Sequence, residues 1–184
     1  MHTSVIYLIG KPGTGKYSIA KELETFGFIV CDNQLLNNPI FTLLNYDGFS
    51  KIPAIGWEAI RKIRDVVLDF IASEKNHNYV LTKCLYEDEG DCRCYSQVQA
   101  MAQKRRSLFF PIKLLISENE HLKRITEPSR RDRWKSIDPQ EIYETKPLIT
   151  VEHPHFMEFD VSQLTALEAA LIILKHVQGS QPIE

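Results

Sequence analysis

An apolar run, Val5-Ile6-Tyr7-Leu8-Ile9, leads directly into Gly10-Lys11-Pro12-Gly13-Thr14-Gly15-Lys16, and this junction constrains the chain more than any other feature. The run reads as a β-strand buried on both faces. Beyond Lys16, Ile19, Ala20, Leu23 and Phe26 recur at helical spacing until Gly27, a residue suited to ending a helix. The segment between strand and helix is G-x-x-x-x-G-K, a phosphate-binding loop. Its glycines let successive backbone N–H groups turn inward around phosphate oxygens, the following helix adds its positive N-terminal end, and Lys16 supplies a mobile ammonium. The pattern predicts a nucleoside triphosphate site. Its candidate residues are Gly10, Lys11, Pro12, Gly13, Thr14, Gly15, Lys16, Tyr17 and Ser18.

One position departs from the usual pattern. The residue after the lysine is normally a Ser or Thr whose hydroxyl binds Mg²⁺, and here it is Tyr17, followed by Ser18. A tyrosine hydroxyl lies too far from its own backbone to replace a serine hydroxyl. Mg²⁺ accompanying ATP would therefore rely on water, substrate phosphates and other carboxylates. Ser18 could reach an α-phosphate or simply occupy the first helical turn.

Length and charge narrow the function classes. A chain of 184 residues suits one domain with a substantial core, and a formal charge of −2 argues against a general nucleic-acid binder, which needs a broad basic surface. There is no apolar stretch of about 18 residues and no charged segment leading into a signal core, so a cytoplasmic protein without a membrane partner is expected. Cys31, Cys84, Cys92 and Cys94 lack the C-x-x-C pairs of a zinc site and read as reduced thiols. His153-Pro154-His155 has no third ligand nearby, so no metal-ligating set is expected.

Strand-like runs at 5–9, 28–31, 79–82, 109–116 and 156–159 alternate with helical periodicity, the signature of an α/β fold with a five-stranded parallel sheet flanked by helices. Ile60, Ile63, Val67, Phe70 and Ile71 mark one packing helix face; Leu164, Leu167, Leu171, Leu174 and Gln178 mark another. Residues 32–51 and 118–147 do not fit simple packing and are of the kind that cover binding sites, with Arg124 on a helical stretch shared with Leu122 and Ile125. The domain is expected to span 1–178, with residues 179–184 as a disordered tail.

In an open parallel sheet, ligands sit beyond the carboxyl ends of the strands. The residues there are the phosphate loop, Asp32-Asn33-Gln34, Lys83-Cys84, Ser117 with the Arg-rich segment, and Asp160-Val161-Ser162. This arrangement resembles the small-molecule P-loop kinases, the group containing shikimate, gluconate and adenylate kinases and the chloramphenicol phosphotransferase-like proteins. It rests on the loop, the acid after strand two, Glu120-x-Leu122-x-Arg124 before a basic stretch, and the terminal strand-loop-helix from Asp160. The resemblance implies transfer of the γ-phosphoryl group of ATP to a small-molecule acceptor, with an Arg-rich lid at about 118–147.

Within that reading Lys16 and lid arginines Arg130 and Arg133 would neutralise charge on the transferring group, and Arg131 would meet the acceptor. Arg124 and Asp160 would serve the nucleotide. Asp32 would orient or deprotonate the acceptor hydroxyl, with Asn33 and Asn37 as acceptor contacts. Each has a plainer reading: a solvated charge run for the arginines, a helix N-cap for Asp32, ordinary turn residues for the asparagines. Strand three ends in Thr82 where many such enzymes carry a Walker B aspartate. A nucleotide-binding regulatory module without efficient turnover is the alternative, followed by a nucleotide or RNA-end kinase. The acceptor and the oligomeric state are not encoded legibly.

Overall fold

The structure, a computed structural model, describes residues 3–47, 50–128, 130, 135 and 137–180. Five strands, β1 (Ser4–Ile9), β2 (Phe28–Cys31), β3 (Asn78–Lys83), β4 (Leu108–Leu115) and β5 (Met157–Asp160), form one sheet in the order β2-β3-β1-β4-β5. Every pairing is parallel. The five strands expected from the apolar runs are all present, each within two residues of its expected ends.

The sequence of β1 explains its central place. All six residues are buried, and alternate ones serve opposite faces: Val5, Tyr7 and Ile9 enter one core, Ile6 and Leu8 the other. Helices α1 (Lys16–Thr25) and α6 (Ala166–Gly179) cover the second face through Ile19, Leu23, Ala169 and Ile173. Helices α3 (Ala54–Ser73) and α4 (Glu89–Lys104) cover the first through Leu68, Ile71, Val98 and Met101. Full burial of such side chains is worth about 1.5 to 3 kcal/mol each, which is why an uninterrupted apolar strand seeks the middle of the sheet.

Several details differ from the sequence reading. Within residues 32–51, Asn33–Leu43 form helix α2, with Pro39 inside it and Asp32 as its N-cap. Residues 118–125 likewise form helix α5 (Glu118–Ile125), and a 3₁₀ turn follows at Pro139–Tyr143. Phe26 and Phe70 stand 45% and 63% exposed instead of packing with their helix stripes. The buried stripe of α6 is Ala169, Ala170, Ile173 and Val177, while Leu167 and Leu171 face outward. Small residues let α6 approach α1 closely, so the core stripe is set by fit and not by the largest side chains. Asp88 caps α4 by accepting from the Asp91 N–H at 2.9 Å, and Asp91 faces the Lys83 ammonium at 3.3 Å.

Connections from β1 and β3 leave toward opposite edges of the sheet, opening a crevice between their carboxyl ends. Ile9 and Lys83 are register partners there, so the phosphate loop and the end of β3 begin side by side.

Candidate functional site

The loop after β1 adopts the conformation its glycines were read for. Gly13 and Gly15 have φ of 92° and 89°, in the left-handed region that costs a side-chain-bearing residue strain. Gly15 then serves as the N-cap of α1. The Lys16 ammonium folds back and donates to the carbonyls of Gly10 at 2.6 Å and Lys11 at 2.8 Å. Thr14 Oγ1 donates to the Lys11 carbonyl at 2.9 Å, bracing the same turn. Burial of the ammonium lowers the Lys16 pKa to about 8, with Arg130 and Lys135 pushing the same way and Cys84 and Glu141 opposing. The loop is a preformed cationic cradle whose charge awaits compensation.

Helix α5 lies across the outside of that loop. A Cβ at Gly13 would come within 2.9 Å of His121 Cδ2 and 3.3 Å of Ile125, and one at Gly15 within 3.6 Å of an Arg124 guanidinium nitrogen. His121 is buried, and its Nε2 must be the donor toward the Pro12 carbonyl, because a carbonyl oxygen can only accept. Burial lowers the His121 pKa and keeps the ring neutral beside Lys11 and Lys16. Arg124 pairs with Glu120 at 2.8 Å and donates to the Val161 and Ser162 carbonyls at 3.0 and 3.1 Å. It thereby ties α5 to the loop after β5. A small cavity of about 210 Å³ opens beside it, between Gly15, Ser18 and Ile19 on one side and Val161, Leu164 and Thr165 on the other.

The main cavity, about 630 Å³, lies over the crevice between β1 and β3. Its floor is the loop from Pro12 to Ser18, with Thr82, Lys83 and Cys84 at the end of β3. Arg130, Lys135, Ile137, Asp138 and Glu141 wall it from the segment after α5. Helices α2 and α3 close the far side with Asn33, Gln34, Asn37, Phe41 and Trp57, joined by Tyr46.

Asp32 is the N-cap of α2, the plainer of its two sequence readings, and it also faces a cation. One carboxylate oxygen accepts from the Leu35 N–H at 2.9 Å as the N-cap of α2. The other lies 3.7 Å from the Lys135 ammonium, which in turn sits 4.0 Å above the Tyr17 ring. Tyr17, where a metal-binding hydroxyl is usual, is thus the floor beneath a lysine. Thr82, where an acid is usual, accepts the Asn33 N–H at 3.3 Å and fixes the turn that carries Asp32. No set of three or more His, Cys, Asp or Glu residues among the described residues is arranged to hold a metal ion.

Of the other candidates, Lys16, Tyr17, Ser18, Asp32, Asn33, Asn37 and Arg130 are brought together on the main cavity, and Arg124 reaches the smaller one. Gly10, Lys11 and Thr14 support the loop without lining either cavity; Lys11 donates to the Glu144 carbonyl at 2.7 Å. Asp160 is exposed and caps its own turn through the Ser162 N–H at 2.6 Å, away from both cavities. Arg131 and Arg133, with Trp134, lie outside the described residues. His153 and His155 pack edgewise and tilted on Phe109 and Phe110. Sequence reading passed over Phe41, Tyr46, Lys135, Asp138, Glu141 and His121. The absence of any charge from Asn33 to Tyr46, unusual for a segment edging a polar site, was the available signal for the α2 residues.

A parallel sheet in this order, with a phosphate loop at its switch point and a second set of polar groups facing it, defines a protein with the architecture of the small-molecule P-loop kinases. No family model matches the sequence, and no curated protein matches it. Solved structures match over nearly the whole chain. One is a gluconokinase from Sinorhizobium meliloti 1021, at TM-score 0.60 and 13% identity over 98% of this chain and 99% of that one. Another is shikimate kinase from Acinetobacter baumannii in complex with shikimate, at TM-score 0.56 and 17% identity over 98% and 96%. A third is the Mycobacterium tuberculosis APS kinase in complex with AMPPNP and APS, at TM-score 0.56 and 14% identity over 96% and 98%. The expected fold class is therefore present: a single five-stranded parallel α/β fold shared with these kinases. No helix among the described residues is long and apolar enough to cross a membrane.

Proposed function

We propose that the chain is an ATP-dependent phosphotransferase acting on a small-molecule acceptor. One observation carries the reading: a single cavity joins the phosphate loop, the second oxygen of Asp32 and an uncharged pocket edge between α2 and α3. A nucleotide held by the loop and an acceptor held by α2 and α3 would meet at Asp32. Kinases of the same fold, solved in complex with shikimate or with AMPPNP and APS, support a nucleotide and a small substrate as the ligands.

The chemistry follows from the charges. The ATP phosphates would take the loop N–H groups and the positive end of α1, and the Lys16 ammonium would leave its loop carbonyls for the β- and γ-phosphate oxygens. The acceptor hydroxyl oxygen forms a bond to the γ-phosphorus as the bond to the β–γ bridging oxygen breaks, and ADP departs with that electron pair. Asp32 receives the hydroxyl proton on the oxygen not engaged in capping. Arg130 and Lys135 would spread the developing charge, and the smaller cavity beside Arg124 would take the base. The segment at about 118–147, including Arg131 and Arg133, is proposed as the lid. Helix α5 would stay fixed in it, because His121 and Arg124 tether that helix to the Pro12, Val161 and Ser162 carbonyls. The domain is proposed to extend over 1–178.

The donor set does not suit a protein-held Mg²⁺. Tyr17 and Thr82 replace the usual ligands and Asp32 is engaged by Leu35 and Lys135, so the metal would arrive as part of the nucleotide complex, held by phosphates and water. The same replacements favour a second reading, a nucleotide-binding module without turnover. Transfer of labelled γ-phosphate, measured against neutral alcohols, acids, sugars and nucleotides with Lys16→Ala and Asp32→Asn as controls, separates them. Transfer lost in both variants supports the kinase. AMPPNP binding without transfer to any acceptor supports the module.

A further inference from the structure

We infer that the acceptor is a neutral alcohol bearing a planar aryl or heteroaryl ring, nucleosides included, and not a carboxylate or phosphate ester. The inference rests on the kinase reading and specifies its substrate class. Three rings line the acceptor side: Phe41 and Tyr46 have centroids 4.8 Å apart, and Trp57 meets Phe41 edge to face at 6.3 Å. Such an angular cluster offers both faces and edges to a flat ring, a contact worth more than its area alone. Trp57 remains 43% exposed, so its ring surface is available for cover.

Polarity on this side is supplied by amides. Asn37 is 5% exposed and lines the cavity, and its side-chain carbonyl has no hydrogen-bond partner. A buried unpartnered acceptor is costly, and a ligand O–H or N–H would relieve it. From Asn33 to Tyr46 there is no charged residue at all. None of the cations that line the cavity comes from α2 or α3. Lys16 belongs to the phosphate loop and Arg130 to the segment after α5, while Lys83 faces Asp91 at 3.3 Å and Lys135 faces Asp32 and Tyr17. An anionic acceptor would have to surrender its hydration to amides and rings, which compensate poorly for a charge. A neutral ring alcohol is favoured on both counts.

Titration calorimetry of the AMPPNP-saturated full chain tests this. The probes are thymidine, adenosine and 2-phenylethanol against shikimate, gluconate and adenosine monophosphate. At least one neutral ring alcohol should bind tenfold or more tightly than every anion. Trp57→Ala and Asn37→Leu should each weaken that binding tenfold or more, with AMPPNP affinity as the control for folding. Trp57→Phe, which keeps a ring, should restore most of the binding. An anion that binds as well as the best ring alcohol overturns the inference while leaving the kinase reading intact. Failure of AMPPNP to bind overturns the kinase reading, and the inference with it.

Discussion

Raising the pH from 7 to 9 should stabilise the nucleotide-free protein through Lys16 and weaken its hold on nucleotide by the same factor. Burial lowers the Lys16 pKa from 10.5 to about 8. The native chain therefore releases this proton before the unfolded chain does, and stability rises with pH across the interval between the two values. From pH 7 to 9 the protonated fraction of the native lysine falls about tenfold, equivalent to about 1.3 kcal/mol. Phosphate oxygens need the ammonium, so AMPPNP affinity should fall about tenfold over the same range. The thiols of Cys31, pushed up to about 11, and of Cys84, also raised by burial, act in the opposite sense only above their ordinary value of 9.0, which sets the upper limit of the window. Urea unfolding at pH 7, 8 and 9 measures the effect, with Lys16→Met as reference. The slopes decide the matter, because at fixed pH the variant also loses the hydrogen bonds to Gly10 and Lys11. Parallel pH dependence of wild type and Lys16→Met would refute the reasoning.

Other outcomes follow from particular contacts. Asp32→Asn keeps a good N-cap, so stability should change by under about 1 kcal/mol while transfer falls about 10²- to 10⁴-fold; transfer retained in the Asn variant would leave Asp32 as a cap only. Gly13→Ala places a Cβ within 2.9 Å of His121 at a φ of 92° and should cost about 2 to 4 kcal/mol by chemical unfolding. His121, with its pKa lowered from 6.5, should make stability fall as pH drops below that value; His121→Gln should flatten the fall, with the similarly lowered His153 retaining the remainder. Arg105 is buried and donates to the His77 carbonyl at 2.6 Å, so Arg105→Met should cost about 3 kcal/mol, against under about 1 for the exposed Arg93→Met.

The sheet was legible because a strand buried on both faces leaves a continuous apolar run. Val5 to Ile9 shows this directly, and period and length suffice to recognise it. Helix faces were less legible. Phe70 and Leu171 have the right chemistry for a core, yet neighbouring positions fit the available space better, and fit is a property of the partner surface. Helix α2 was faint in residues 32–51 for a related reason: Asn37, Asn38, Pro39 and Gly48 are weak helix signals locally, while Leu36 and Phe41 bury themselves against the first-face core and α3 once the fold exists. Tertiary burial outweighs those weak local preferences.

The site divides along the same line. The phosphate loop could be read because contiguous residues perform its function, with glycine φ angles and one lysine as its whole requirement. The acceptor side could be read only in part: Asp32, Asn33 and Asn37 were legible as residues beyond β2, whereas Phe41, Tyr46 and Lys135 join them only after separate elements have packed. Tyr17 illustrates the limit most clearly. As a letter in a motif it is a lost metal ligand; in the fold its ring underlies the Lys135 ammonium, which faces the acid after β2. A cation has been placed near the position where an ion-binding hydroxyl would stand. Lys135→Met leaves the largely buried Asp32 carboxylate without the cation that faces it at 3.7 Å, so it should lower stability by chemical unfolding, and in the folded protein it should lower phosphoryl transfer and raise the Mg²⁺ concentration needed for half-maximal rate. An unchanged Mg²⁺ requirement in that variant would show that the lysine merely covers the ring.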